Sequence, residues 1–310
     1  MSAGAHGTVS LGGVNVVSIQ PGGGPTVLRI MLGAQLRNLR EGRGISREDA
    51  GYTIRASGSK ISRMELGRVS FKERDIADLL TLYGVEDPAE RAALVDLAQQ
   101  ANSPGWWHKY GDVLPDWFQV YVGLEEAASL IRVYEVQFVP GLLQTPDYTR
   151  AVVQLGQRGA TPEEIEHRVS LRQDRQRVLV RRDPPRLWVV IDEAALRRPI
   201  GGAEVMRGQI ERLIDASKEP HVTIQVLPFR LGGHAAEAGA FTLMRFPELD
   251  LPDVVYTEQL TSAVYLDKRE DVERYTEVIE RLSVQSEPPE RTTDILNRIL
   301  KETRDDDQLP

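Results

Sequence analysis

Two short helical segments separated by about four residues, Ile54–Ser57, constrain the fold of this chain more than any other feature. Ser46 opens the first, with Asp49 three residues on, a loose form of the box in which a hydroxyl and a carboxyl satisfy the free N–H groups of a helix start. It runs to about Thr53. Ser57 opens the second, which ends near Gly67 and spans ~15 Å at 1.5 Å per residue. That spacing is the spacing of a helix-turn-helix, whose second helix enters the major groove of DNA with its leading residues toward the base edges. The composition of Ser57–Arg68 suits the task. Ile61 and Met64, three apart, form an apolar side that holds the helix to its neighbours. Ser57, Gly58 and Ser59 make a small leading turn through which the backbone can approach DNA, and free N–H groups there attract phosphate. Lys60, Ser62 and Arg63 point outward as candidate contacts. Arg47 is placed to hold a phosphate across the groove, and Arg68 to reach another.

Further helices surround the pair. Leu28, Met31, Leu32, Leu36 and Leu39 recur at helical spacing over Val27–Glu41, and Gly42 and Gly44 end that segment. Ile76, Leu79, Leu80 and Tyr83 share one face of Lys72–Tyr83. Asp87-Pro88-Ala89-Glu90 starts a fifth helix that reaches Ala101. The chain's net charge is −8, which argues against a protein that coats nucleic acid throughout. The charge is unevenly spread. Val27–Tyr83 carries eleven Lys and Arg against seven Asp and Glu, whereas Gly84–Pro310 carries 27 against 39. A small basic segment joined to a large acidic one fits a polyanion-binding module attached to a second function.

The sequence divides as a Gly-rich leader over 1–26, the helical domain over 27–101, a linker over 102–115 opened by Asn102-Ser103-Pro104-Gly105, a larger domain over 116–300 and a disordered acidic tail over 301–310. In the larger domain a helix is expected over Asp116–Val133, broken by Pro140-Gly141. Two more start at Thr145-Pro146 and Thr161-Pro162, the second running to about Leu179. From Arg186 the texture becomes mixed. Strands are expected at Leu187–Ile191, Val222–Phe229, Ala240–Phe246 and Asp253–Leu266, with helices at Ala203–Ser217 and Asp271–Leu282. The fold class is therefore α+β: an all-α helix-turn-helix domain, then a larger domain that is helical first and a mixed sheet later.

Leu36-Arg37-x-Leu39-Arg40, Gly44-Ile45-Ser46 and Ile61-Ser62-Arg63-x-Glu65-x-Gly67-Arg68 resemble the Xre/Cro-type helix-turn-helix family over about 55 residues. That family usually has Gln where Arg47 stands, and commonly Ala where Gly51 stands; Gly there weakens the helix by ~1 kcal/mol. It usually has Gly where Arg55 stands. A non-Gly residue at positive φ is uncommon, so Arg55 implies a wider turn than the family's. The segments LEEAASLIRVYEVQFVPGLLQTPDYTRAV, VSLRQDRQ and VTIQVLPF resemble a C-terminal domain of unknown function. In actinomycetes that domain is fused to such a helix-turn-helix in WhiJ-like developmental regulators. The resemblance implies a transcriptional regulator, often encoded beside a small partner protein, with no established catalytic chemistry.

Other clusters read more plainly. Glu65 is expected to bond a backbone group or a cation near the first helix, and Arg37, Arg40 and Arg43 are further phosphate candidates. Trp106, Trp107 and Trp117 are expected to pack an interdomain or dimer core. Arg168, Arg172 and Arg175 recur as the stripe of a surface helix face. Asp192, Glu193 and His234 are the acid–base candidates, but no nucleophile motif, metal-ligand spacing or phosphate-binding glycine loop accompanies them, so no enzyme, cofactor or metal is expected. Cysteine is absent and no apolar run approaches the ~18–20 residues of a membrane span. The expected partners are a double-stranded DNA operator, a second copy of the chain and a small neighbouring protein, in the cytoplasm and away from membranes. An adaptor or antitoxin-like module with a degenerate helix-turn-helix is the alternative.

Overall fold

The computed structural model describes residues 24–157, 159–247 and 251–306. The leader expected over 1–26 lies outside them up to residue 23, as do the last four residues of the expected tail. The chain forms two compact units divided after Ser103, and each is described by itself.

The first unit is all helical: α1 (Pro25–Gly42), α2 (Arg47–Thr53), α3 (Gly58–Glu65), α4 (Glu73–Leu82) and α5 (Pro88–Ala101). Their starts follow the residue chemistry. Pro25 and Pro88 occupy first helical positions, where a missing N–H is harmless. Ser46, Ser57 and Asp87 accept backbone N–H bonds from Asp49, Lys60 and Ala89. Leu28, Leu32 and Leu36 of α1 pack with Ile61 and Met64 of α3 and with Ile76, Leu79 and Leu80 of α4. All are essentially excluded from water, and each such side chain contributes about 1.5–3 kcal/mol by burial. Gly33 brings α1 onto the end of α3, because a Cβ there would stand 2.5 Å from the Met64 carbonyl oxygen. Gly51 does the same for α2, whose Cβ would meet the Ala56 carbonyl oxygen at 2.7 Å.

The second unit is built on a six-stranded mixed sheet of order β3-β2-β1-β4-β5-β6. Its chain order is α6 (Asp116–Ala127), β1 (Leu130–Glu135), α7 (Pro146–Gly156), α8 (Pro162–Arg175), β2 (Arg186–Asp192), α9 (Glu193–Arg197), α10 (Ala203–Ala216), β3 (Val222–Leu227), β4 (Phe241–Arg245), β5 (Val254–Glu258), β6 (Ala263–Leu266), α11 (Arg269–Gln285) and α12 (Thr292–Asp306). β1, β2 and β3 are parallel, joined through helices; β4, β5 and β6 continue the sheet antiparallel. Tyr134, Val190, Phe241, Leu243 and Val255 form one face, covered by Ile279 and Leu282 of α11. Ile131, Val133, Val189, Ile191 and Ile224 of the other face are buried as well. Burial on both faces explains why LWVVI and VTIQVL read as near-continuous apolar runs. The chain is thus α+β, with an all-α first unit and a mixed sheet in the second.

Several sequence expectations change. The helix expected over Asp116–Val133 ends at Ala127, and Leu130–Glu135 is β1, the strand from which the parallel and antiparallel halves both grow. Asp253–Leu266 is two strands, turned at Gln259–Ser262. From Pro104 on, the expected linker belongs to the second unit, and part of it is buried there. Trp106–Tyr110 forms a 3-10 turn, and Trp107, Tyr110, Val113 and Leu114 pack on Val122 and Leu171. Trp107 and the partly buried Trp106 therefore serve the second unit's own core, while Trp117 is half-buried against Phe118. α12 continues to Asp306, through the first six residues of the segment expected to be a disordered tail.

Two of the three arginines of the α8 stripe, Arg172 and Arg175, turn inward. Arg175 is buried and donates twice to Glu125 of α6, both at 2.8 Å, with its guanidinium over the rings of Phe118 and Tyr121. Arg172 donates to Gln144 at 2.7 Å, and burial pushes its pKa down to about 10. Glu135, at the end of β1, is pushed up to about 8 by burial and by the nearby charge of Glu258, with Arg172 pulling the other way.

Candidate nucleic-acid interface

Ser57, Gly58 and Ser59 open α3, and Ser57 and Ser59 are exposed. Successive residues turn by about 100° in a helix, so Ile61, Met64 and Glu65 share the inward side while Ser59, Ser62 and Arg63 share the opposite one. Arg63 is exposed and has no ion-pair or hydrogen-bond partner for its side chain among the described residues; the same holds for Arg55 and Arg68. Of the eight sequence candidates, Ser57, Ser59, Arg63 and Arg68 are thus exposed and Ser62 is half-buried.

Lys60 is placed differently. It sits on the flank of α3, and its ammonium donates to Asp75 of α4 at 2.6 Å. The pair is half-buried, with 29% of the Lys60 side chain and 12% of Asp75 exposed. Lys60 is therefore engaged by the protein rather than projecting outward as expected. Gly58 has a carboxylate for a neighbour, since a Cβ at Gly58 would lie 2.8 Å from Oε1 of Glu48. Negative charge at the head of a helix is stabilising, and here it stands where a DNA phosphate would be attracted.

Glu65 organises the opposite side of the motif. It is buried at the end of α3 and accepts from two arginines. Arg40 of α1 donates through Nε at 2.5 Å and through a terminal nitrogen at 3.1 Å. Arg47 at the start of α2 donates through Nε at 3.0 Å. Arg40 also bonds the Ile45 carbonyl at 2.8 Å, tying α1 to the segment before α2. One carboxylate thereby locks three helices, and its partnership raises the Arg40 pKa. The buried Tyr83 hydroxyl is pushed up to about 12 by burial, reinforced by the Glu65 charge. The expected cation for Glu65 is Arg40, which is consequently removed from the phosphate candidates. Arg47 braces the reading helix through Glu65 while leaving 41% of its side chain exposed. Arg37 pairs with Glu41, and Arg43 bonds the Gly84 carbonyl.

The turn between α2 and α3 is as tight as a glycine would make it. Arg55 takes φ +55°, the left-handed conformation, so the wider turn expected at this position is not formed. Such a residue costs ~1–2 kcal/mol relative to the right-handed region. The N–H of Ala56 returns to the Gly51 carbonyl at 2.8 Å.

In the second unit, the acid–base candidates have local partners. Asp192 caps α9 through the Ala194 N–H. Glu193 accepts from Arg197 and from the Phe229 N–H. His234 bonds the Tyr134 hydroxyl at 3.0 Å. No group of three or more acidic or histidine side chains that could hold a metal occurs among the described residues. No described helix is long and apolar enough to cross a membrane.

The sequence matches the helix-turn-helix domain family over residues 31–94, the segment containing α2, the turn and α3. No curated protein and no solved structure matched the chain. A second family match spans residues 118–298, more than half of the chain, and covers the sheet and the helices around it. With that domain behind its helix-turn-helix, the chain belongs to the family described as domain of unknown function (DUF5753).

Proposed function

We propose that the chain is a sequence-specific, DNA-binding transcriptional regulator of the cytoplasm, of Xre/Cro type and WhiJ-like, as found in actinomycetes. The observation that carries the reading is the outward side of α3. Ser59 and Arg63 are exposed, with the half-buried Ser62 beside them, on a helix locked from behind by Glu65, Arg40 and Arg47. Arg63 can donate in a bidentate manner to a guanine edge, the commonest specific protein–DNA contact. Arg47 and Arg68 serve as phosphate contacts. One such helix reads few bases, so the active form is a homodimer on two half-sites about one turn apart. The second unit dimerises, senses an effector or docks a small neighbouring protein. It performs no catalysis in this reading, which the local partners of Asp192, Glu193 and His234 support. The test is recovery of genomic fragments on the full-length protein, followed by titration at several salt concentrations. A shared motif and a steep fall of affinity with salt are expected; absence of enrichment over bulk DNA would rule the reading out.

One observation favours the alternative, an adaptor or antitoxin-like module. Lys60 is held by Asp75, and the Glu48 carboxylate lies over the head of α3, which lowers the positive charge offered to DNA. Tight, salt-insensitive binding to a neighbouring gene product without DNA binding distinguishes it.

A further inference from the structure

Within the second unit, α6, the Trp106–Tyr110 turn and the end of α8 border a partly open pocket of about 290 Å³. Ligand pockets run from roughly 300 Å³ upward, so this one suits a small molecule. Its apolar walls are Trp106, Val122 and Val178, and its rim carries Lys109, Arg177 and Arg181. The carboxylates near these cations are largely committed. Glu125 is taken by Arg175. Asp174 is shared by Lys109 at 2.7 Å, the Tyr110 hydroxyl at 2.6 Å and Arg177 at 2.9 Å. Arg181 donates to the main-chain carbonyls of Glu126, Ala128 and Asp183. Glu126 is the remaining carboxyl: burial raises its pKa, opposed by the charge of Arg181 and a hydrogen bond from Trp106. The pocket thus joins an aromatic wall to four cations, Lys109, Arg175, Arg177 and Arg181, against three carboxylates, an excess of one positive charge.

We propose that this cavity binds a small organic anion with a planar apolar body, its ring against Trp106 and its anionic group between Arg177 and Arg181. Aromatic carboxylates and sulfonates are the chemical class. The site deepens the sensing role proposed for the second unit, and its position fits that role. Trp106 lies three residues beyond Ser103, where the chain leaves the first unit. Its neighbour Trp107 is anchored in the core. An occupant therefore presses on the segment by which the chain enters the second unit.

The test uses the full-length chain with 8-anilinonaphthalene-1-sulfonate as the anionic probe and N-phenyl-1-naphthylamine as its uncharged counterpart. Saturable one-to-one binding of the sulfonate is expected, with quenching of tryptophan emission. Arg177→Gln with Arg181→Gln should weaken the sulfonate about tenfold and leave the uncharged probe unchanged, as loss of charge-assisted bonds requires. Val122→Phe should fill the cavity and weaken both probes; the arginine variants carry the test should that variant fold poorly. Leu260→Ser, at an exposed apolar residue, should change nothing. Unsaturable binding, equal affinity for the two probes, or a sulfonate affinity untouched by the arginine variants overturns the site. DNA is not present in this experiment, so its outcome is separate from that of operator binding.

Discussion

The ammonium of Lys60 on α3 lies 2.6 Å from a carboxylate oxygen of Asp75 in the first turn of α4. This contact separates the two cations of the reading helix into different roles. Arg63 remains exposed and without a side-chain partner among the described residues, while Lys60 holds α3 against α4. To reach a base, Lys60 would leave Asp75 nearly buried and uncompensated, at a cost of ~1–3 kcal/mol.

Arg63→Ala should therefore weaken operator binding by ~1–3 kcal/mol and relax the preference at one base pair. Lys60→Ala should lower the stability of the first unit. Adding Asp75→Asn should restore much of that loss, because the orphaned charge is then gone. Anisotropy titrations on the operator and its point variants, with amide exchange for stability, separate the two. If Lys60→Ala alone relaxes base preference while the fold stays intact, the division of roles is wrong.

Glu65→Ala removes the carboxylate that Arg40 and Arg47 share. Breaking a buried ion pair from one side costs ~3–5 kcal/mol. The first unit should melt at lower denaturant concentration, and DNA binding should be lost with it although Glu65 is buried on the inward side of α3. All four tryptophans lie beyond Ser103, so their emission should keep its transition unchanged while far-UV circular dichroism acquires an earlier one.

Glu48→Gln should tighten operator binding severalfold. The Glu48 carboxylate stands over Gly58 at the head of α3, where it repels an incoming phosphate. The gain should shrink with added salt, as charge effects at an exposed site do. Equal affinity for wild type and variant at low salt argues that Glu48 swings clear on binding.

Two backbone positions give opposite expectations for the same element. Arg55→Gly should stabilise the first unit by ~1 kcal/mol, because φ +55° suits glycine. Gly51→Ala should destabilise it despite the better helix propensity of Ala, since the new Cβ meets the Ala56 carbonyl oxygen at 2.7 Å. Thermal unfolding of each variant gives the signs directly.

Glu135 predicts a pH dependence in the second unit. Its folded pKa is raised from 4.5 to about 8, so the native state keeps a proton that the unfolded chain releases. Stability should fall as pH rises through that window, by up to about 1.4 kcal/mol per pH unit. Glu135→Gln should flatten the dependence and leave the variant the more stable at pH 8, read from tryptophan-monitored urea unfolding. A wild-type midpoint that rises between pH 5 and pH 8 contradicts this assignment.

The sequence by itself determined the helix-turn-helix and most of its boundaries, because caps, proline starts and apolar spacing are local signals that act within one or two turns. It also determined the change to a mixed sheet after Arg186. It did not determine β1, since LIRVYE follows a helical run without a break of glycine or proline and has only six residues of alternation. That strand exists because Ile131 and Val133 are buried between β2 and β4, partners that lie more than fifty residues away in the chain. The site divides in the same way. The serine–glycine lead, the inward Ile61 and Met64 and the outward Arg63 follow from helical periodicity. Whether Lys60 projects outward, whether Arg40 is buried, and whether Arg175 faces water or the interior depended on where other helices carry their carboxylates. A charge has no periodicity of its own; its role is settled by the counter-charge that folding brings within 3 Å, as Asp75, Glu65 and Glu125 show.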